Sequence, residues 1–131
     1  SWSFDETYEI YEADAQGRRL RNLTKAVGYD AEGSYSPDGQ WIAFASNRAG
    51  FDKNLSEEDR KRFAIDPSYM MDIYIMRADG QDVKRLTTSP GYDGGPFFSP
   101  DGKRITFRRF TADGKTAEVF TMNVDGSDQK Q

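Results

Sequence analysis

Gly28-Tyr29-Asp30 and, six residues on, Ser36-Pro37-Asp38-Gly39 return as Gly91-Tyr92-Asp93 and Ser99-Pro100-Asp101-Gly102, both at an offset of 63 residues. A repeat at fixed spacing constrains the architecture before any element is assigned, because each copy is one supersecondary unit that must stack on its neighbours. Residues 9–48 laid over residues 72–111 are identical at 15 of 40 positions, among them Ile10/Ile73, Tyr11/Tyr74, Leu23/Leu86, Ile42/Ile105 and Phe44/Phe107. A third, partial copy begins at offset 46, where the run from Glu118 to Gly126 follows that from Asp72 to Gly80. The two offsets differ by an insertion of 17 residues between Arg48 and Met71, so the underlying period is about 46.

Each unit reads as four short strands divided by turn residues. In the central unit these are expected at Glu32–Ser36, Trp41–Ser46, Asp72–Arg77 and Val83–Thr87, and the order restarts near Gly95. Pro37, Asp38 and Gly39, and again Pro100, Asp101 and Gly102, are structural turns: Pro presets φ, Asp suits the next position and Gly accepts the left-handed conformation. Asp72–Arg77 is apolar on both faces through Ile73, Tyr74, Ile75 and Met76, as a strand of a sandwiched sheet must be. The insertion holds the one helical signal. Ser56 is the expected N-cap, Glu57-Glu58-Asp59 the acidic first turn, and Asp66-Pro67 the stop.

Repeated antiparallel units of this kind make the expected fold all-β, with β-propeller blades of four strands and one short helix in an insertion. The expected divisions are a partial blade over residues 1–30, a complete blade over 31–90 with its insertion at 49–71, and a nearly complete blade over 91–131. That is about 2.5 blades, whereas a closed propeller needs at least about four. The remaining blades are therefore expected from a longer chain or from copies of this one.

Composition narrows the chemistry. With no Cys and no His, the common nucleophile–base pairs and the usual zinc ligand sets cannot be built from these residues. The net charge of −4 disfavours a nucleic-acid partner. Arg18, Arg19 and Arg21, like Arg104, Arg108 and Arg109, read as solvated strand edges. No apolar run approaches the ~20 residues of a membrane helix. No cofactor, no metal, no catalytic residue and no membrane insertion are expected.

The motifs resemble the TolB-like propeller repeat of bacterial envelope and secreted proteins. The residues that carry the resemblance are Asp72-Ile73-Tyr74-Ile75-Met76-Arg77-Ala78-Asp79-Gly80, Lys84-Arg85-Leu86-Thr87, Gly91-Tyr92-Asp93, Ser99-Pro100-Asp101-Gly102 and Ile105-Thr106-Phe107. The first unit departs from the pattern at Tyr11-Glu12-Ala13-Asp14-Ala15-Gln16-Gly17. The resemblance implies a non-catalytic protein–protein interaction scaffold, periplasmic or extracellular. A second role implied by relatives is a gating propeller segment of a larger hydrolase or peptidase.

Two sets of residues are candidate partner contacts. Tyr29, Asp30, Tyr92 and Asp93 lie where one unit crosses to the next; the carboxylates either ring a channel mouth and meet a cation or a basic segment, or brace the turn. The second set, Phe51, Leu55, Phe63 and Tyr69, belongs to the unrepeated insertion, which forms either a partner-binding knob or a cover over a blade edge.

Overall fold

The computed structural model describes residues 4–131. Three antiparallel sheets follow one another along the chain. The first pairs β1 (Tyr11–Glu12) with β2 (Arg21–Asn22). The second runs β3 (Asp30–Tyr35), β4 (Trp41–Ser46), β5 (Asp72–Arg77) and β6 (Lys84–Arg85) in spatial order. The third orders β7 (Asp93–Phe98), β8 (Arg104–Phe110) and β9 (Ala117–Asn123), with Lys130 bridging to Thr121 beyond β9. This is a segment of a β-propeller, all-β apart from one short α-helix and two 3-10 turns.

The period of two along a strand explains how the sheets stack. Ile42, Phe44, Tyr74 and Met76 point back to a core with Leu23 of the first unit. Their neighbours Ala43, Ile73 and Ile75 point forward to Leu86, Ile105, Phe107 and Met122. The large apolar residues of β4 and β5 thus each serve one of two joints, and each large side chain so buried contributes about 1.5–3 kcal/mol. Gly80 and Gly126 close the joints near the outer strands. Each has positive φ, and a Cβ on Gly80 would lie 2.5 Å from the Leu23 carbonyl oxygen, one on Gly126 2.7 Å from that of Leu86.

Strands β4 and β5 occupy the spans expected from the sequence, but the inner and outer strands do not. Strand β3 starts at Asp30 and β7 at Asp93, two residues before the expected restarts, because the Asp backbone N–H groups already donate to Tyr8 and Met71 carbonyls of the preceding unit. The expected strand Val83–Thr87 shrinks to Lys84–Arg85. Leu86 N–H still donates to the Ile73 carbonyl, but Ile73 N–H donates to the Thr87 hydroxyl at 2.9 Å. A side chain there replaces the main-chain acceptor and ends the ladder. Thr24 does the same for Ile10 at 3.0 Å.

The insertion leaves β4 through a 3-10 turn (Arg48–Phe51), forms helix α1 (Glu57–Ile65) and returns through a second 3-10 turn (Pro67–Met70). Ser56 caps α1 by accepting from Asp59 N–H at 3.1 Å, and the helix stops before Asp66-Pro67. It connects β4 to β5 and so emerges at the end of the sheet where β3 begins.

Candidate binding face

The Gly-Tyr-Asp segments sit at this same end, and their backbones tie one unit to the next. Gly28 and Gly91 N–H donate to Glu6 and Tyr69 carbonyls, each at 3.1 Å. Asp30 and Asp93 are buried, with 1% and 0% of their surface exposed. Asp93 accepts from Arg109 Nε and Nη2, both at 3.0 Å, and from Ser89 Oγ at 3.0 Å. Asp30 accepts from Arg48 Nη2 at 3.0 Å. Asp72, at the head of β5, accepts from Arg85 Nε at 3.1 Å; burial pushes its carboxyl up to about 7 while Arg85 pulls it down. The guanidinium groups lie over aromatic rings, Arg109 4.8 Å from the Phe120 centroid and Arg48 5.2 Å from Phe44 and Tyr74. These carboxylates are therefore withdrawn from solvent and spoken for by cations of their own chain.

The two tyrosines behave differently. Tyr29 stacks on Tyr8 at 4.9 Å and meets the edge of Phe4 at 5.2 Å. Tyr92 meets Phe110 edge-on at 5.4 Å and donates its hydroxyl to Glu32 Oε1 at 2.7 Å. Burial raises both phenols; the Glu32 charge adds to the effect at Tyr29, and its hydrogen bond does so at Tyr92. Glu32 Oε2 accepts from Gly95 N–H at 2.7 Å. Gly95 is the repeat equivalent of Glu32, and both sit in the same strand bulge with φ of +59°. One carboxylate thus staples two neighbouring inner strands, reinforced by Ser34 Oγ donating to the Pro96 carbonyl at 2.8 Å.

Above this staple is an open hollow of about 500 Å³, with Phe4, Tyr29, Tyr92 and Phe110 as apolar walls. Asp66 and Ser68 of the insertion line it too. So does Arg108, which is exposed and, among the described residues, makes no ion pair. Its neighbours in the sequence are committed, Arg104 to Asp128 at 3.0 Å and Arg109 to Asp93. Among the described residues the hollow thus combines aromatic surface, one cation without an ion pair and the carboxylates of Glu32 and Asp66. No group of three or more potential metal ligands occurs among the described residues.

The insertion packs mostly on itself. Phe51 meets Phe63 edge-on at 5.1 Å, and Gly50 lies so close to the Phe63 ring that a Cβ there would overlap it. Arg62 lies 5.1 Å over the Tyr69 ring and donates to its hydroxyl at 3.2 Å. Phe63 therefore anchors the helix to the insertion's own 3-10 turn, and α1 buries no residue of its own.

No family model matches the chain. It is 32% identical over 148 aligned positions to the Tol-Pal system protein TolB of Bordetella pertussis, covering 93% of this chain and 33% of that protein. A TolB homolog of Chlorobium luteolum is 31% identical over 122 positions, covering 76% of this chain and 28% of the homolog. The structure of putative TolB from Agrobacterium tumefaciens superposes with a TM-score of 0.71 at 29% identity, over 93% of this chain and 39% of that one. The repeat is that of the TolB-like β-propellers. The chain spans about a third of the length of the curated relatives it matches.

In this TolB-like segment the face brings Tyr29 and Tyr92 together with the returning arm of the insertion, and leaves Phe51, Leu55 and Phe63 outside the hollow. Sequence reasoning missed Glu32, Arg108 and Phe110. Glu32 carried a signal: it stands where the next unit has Gly95, and a non-glycine at positive φ needs a compensating contact.

Proposed function

We propose that this chain is a non-catalytic, protein-binding segment of a larger TolB-like propeller, and that its partner docks on the face where Tyr29, Tyr92, Phe110 and Arg108 meet the insertion. The observation that carries the reading is Arg108, exposed and without an ion pair among the described residues, inside a hollow walled by aromatic rings. Aromatic residues with an arginine are the composition of interface hot spots. Asp30 and Asp93 hold the turns that present the tyrosines, and the insertion contributes through Asp66 and Ser68. The name of the Bordetella relative supports a partner within a Tol-Pal system; the periplasmic or extracellular setting follows from the family resemblance of the repeat. The divisions at residues 30 and 90 serve as working blade boundaries.

The missing blades are assigned to the rest of a longer chain. Tyr11 and Val119 are exposed on the terminal sheets, whereas their repeat equivalents in the central sheet, Tyr74 and Ile73, are buried against its neighbours. To test the docking face, p-benzoylphenylalanine is placed at Phe110 of the parent protein and cross-linked in cells. A Tol-Pal component captured from Phe110 but not from Lys103, at the opposite end of the sheet, supports the reading. Equal capture from both positions, or none from Phe110, overturns it.

A further inference from the structure

The two joints between sheets carry the same carboxylates but different partners. In the joint between the second and third sheets, Asp72 and Asp93 meet Arg85 and Arg109, two charges against two, and Ser89 donates to Asp93 Oδ2. In the joint between the first and second sheets the repeat puts Glu9 and Asp30 at those carboxylate positions, but Asn22, Ser46 and Ala26 where the other joint has Arg85, Arg109 and Ser89. Only Arg48, entering from beyond β4, supplies a cation. Asp30 Oδ2 is consequently buried with no hydrogen-bond partner, the one such side-chain atom among the described residues.

We propose that this first joint is a proton-operated latch: Asp30 takes up a proton on Oδ2 as the solution acidifies, which tightens the contact between the first two sheets, and releases it as the pH rises, which loosens them. The donor count supports this. Glu9 and Asp30 are faced by one guanidinium, and Arg48 reaches only Oδ1 of Asp30, so the buried Oδ2 is left without a donor, and a proton is the smallest species that supplies one. The titratable and charged groups around Asp30 are Glu9 from the first sheet, Arg48 beyond β4, and Asp72 and Tyr74 on β5. Glu9 is itself engaged, its Oε2 accepting from Thr24 Oγ1 and its Oε1 from Ala26 N–H at 3.1 Å. Burial raises the Asp30 carboxyl above its ordinary value of 3.8, the nearby Ser46 hydroxyl and the Arg48 guanidinium only partly oppose this, and the Glu9 charge adds to it. The folded value therefore exceeds the unfolded one. Stability from the protonated form is present at low pH and is lost as pH rises through the folded value.

Ala26→Ser tests the latch by restoring the hydroxyl that Ser89 supplies in the other joint. Thermal midpoints of both chains are followed from pH 4.5 to pH 8, and Asp30 Cγ is titrated by NMR. Asp72 is the same in both chains and cancels. The expected result is an Asp30 midpoint above 3.8 in the parent, a lower midpoint in the variant, and a thermal gain at pH 8 that shrinks toward pH 4.5. An Asp30 midpoint at or below 3.8, or an equal gain at every pH, overturns the proposal. Should the variant fail to fold, the parent titration decides: the amide signals of Gly28 and Asp30, which bond across the joint, must shift with the same midpoint as Cγ.

Discussion

The repeated blades and the unrepeated insertion are held together by different physics. In the blades, the buried apolar strand residues serve the joints, Asp30 and Asp93 pair with guanidinium groups that lie on rings, and tight main-chain contacts set the spacing. In the insertion, a capped helix with no buried residue is pinned by one aromatic pair and one arginine–tyrosine contact. Regions that must fit a neighbour on both sides are over-determined, whereas a segment free on one side needs only enough contact to fix its position. The hollow proposed for docking lies on the boundary between the two, walled by the blades and rimmed by Asp66 and Ser68.

Four substitutions and one control would break or sharpen that contrast. Asp93→Ala should have the largest effect: it leaves Arg109 partly buried without its anion, and losses of about 3–5 kcal/mol follow the removal of one partner from such a pair. Urea unfolding should show this as a cooperative loss across the whole chain. Gly80→Ala comes next, at about 2–3 kcal/mol, since the new Cβ combines positive-φ strain with collision against the Leu23 carbonyl. Its control is Gly39→Ala, where φ is also positive but nothing lies within 4 Å; strain alone costs about 1 kcal/mol there. Equal losses at the two glycines would show that the close contact contributes nothing.

Phe63→Ala should be smaller and local, with loss of the aromatic pair worth about 1 kcal/mol beyond area burial. Amides of α1 should exchange faster while those of β4 and β5 keep their protection. Smallest in global effect is Ser56→Ala, which removes the cap and costs the helix about 1 kcal/mol. Helical circular dichroism should fall with no change in the main unfolding midpoint. A shift of that midpoint in either insertion variant would mean that the insertion is part of the cooperative blade core.

Much of this organisation was legible in the repeat. Trp41–Ser46 and Asp72–Arg77 were correctly delimited because both carry dense apolar signal between turn residues, and the helix ends were announced by Ser56 and Asp66-Pro67. The outer strands were over-read, since nothing in an alternating pattern shows that the Thr87 hydroxyl will replace a carbonyl. Of the face, the two tyrosines were legible from their repetition. Arg108 was not, because whether an arginine is free depends on where its neighbours' partners lie, and Arg104 and Arg109 find theirs at distant positions. The insertion's aromatic residues read equally as a partner-binding knob or a cover over a blade edge, because Gly50, which makes room for Phe63 inside, gives no signal of its own.

The glycine–carbonyl contacts of Gly80 and Gly126 have an evolutionary reading. Each blade recognises the one before it through a peptide oxygen that every amino acid possesses. The docking rule therefore travels with the newcomer and asks nothing of the side chains already in place. A unit that carries its own Gly can be duplicated, inserted or exchanged without a matching change in the unit that receives it. Copies joined this way are free to diverge at most positions and still stack in order.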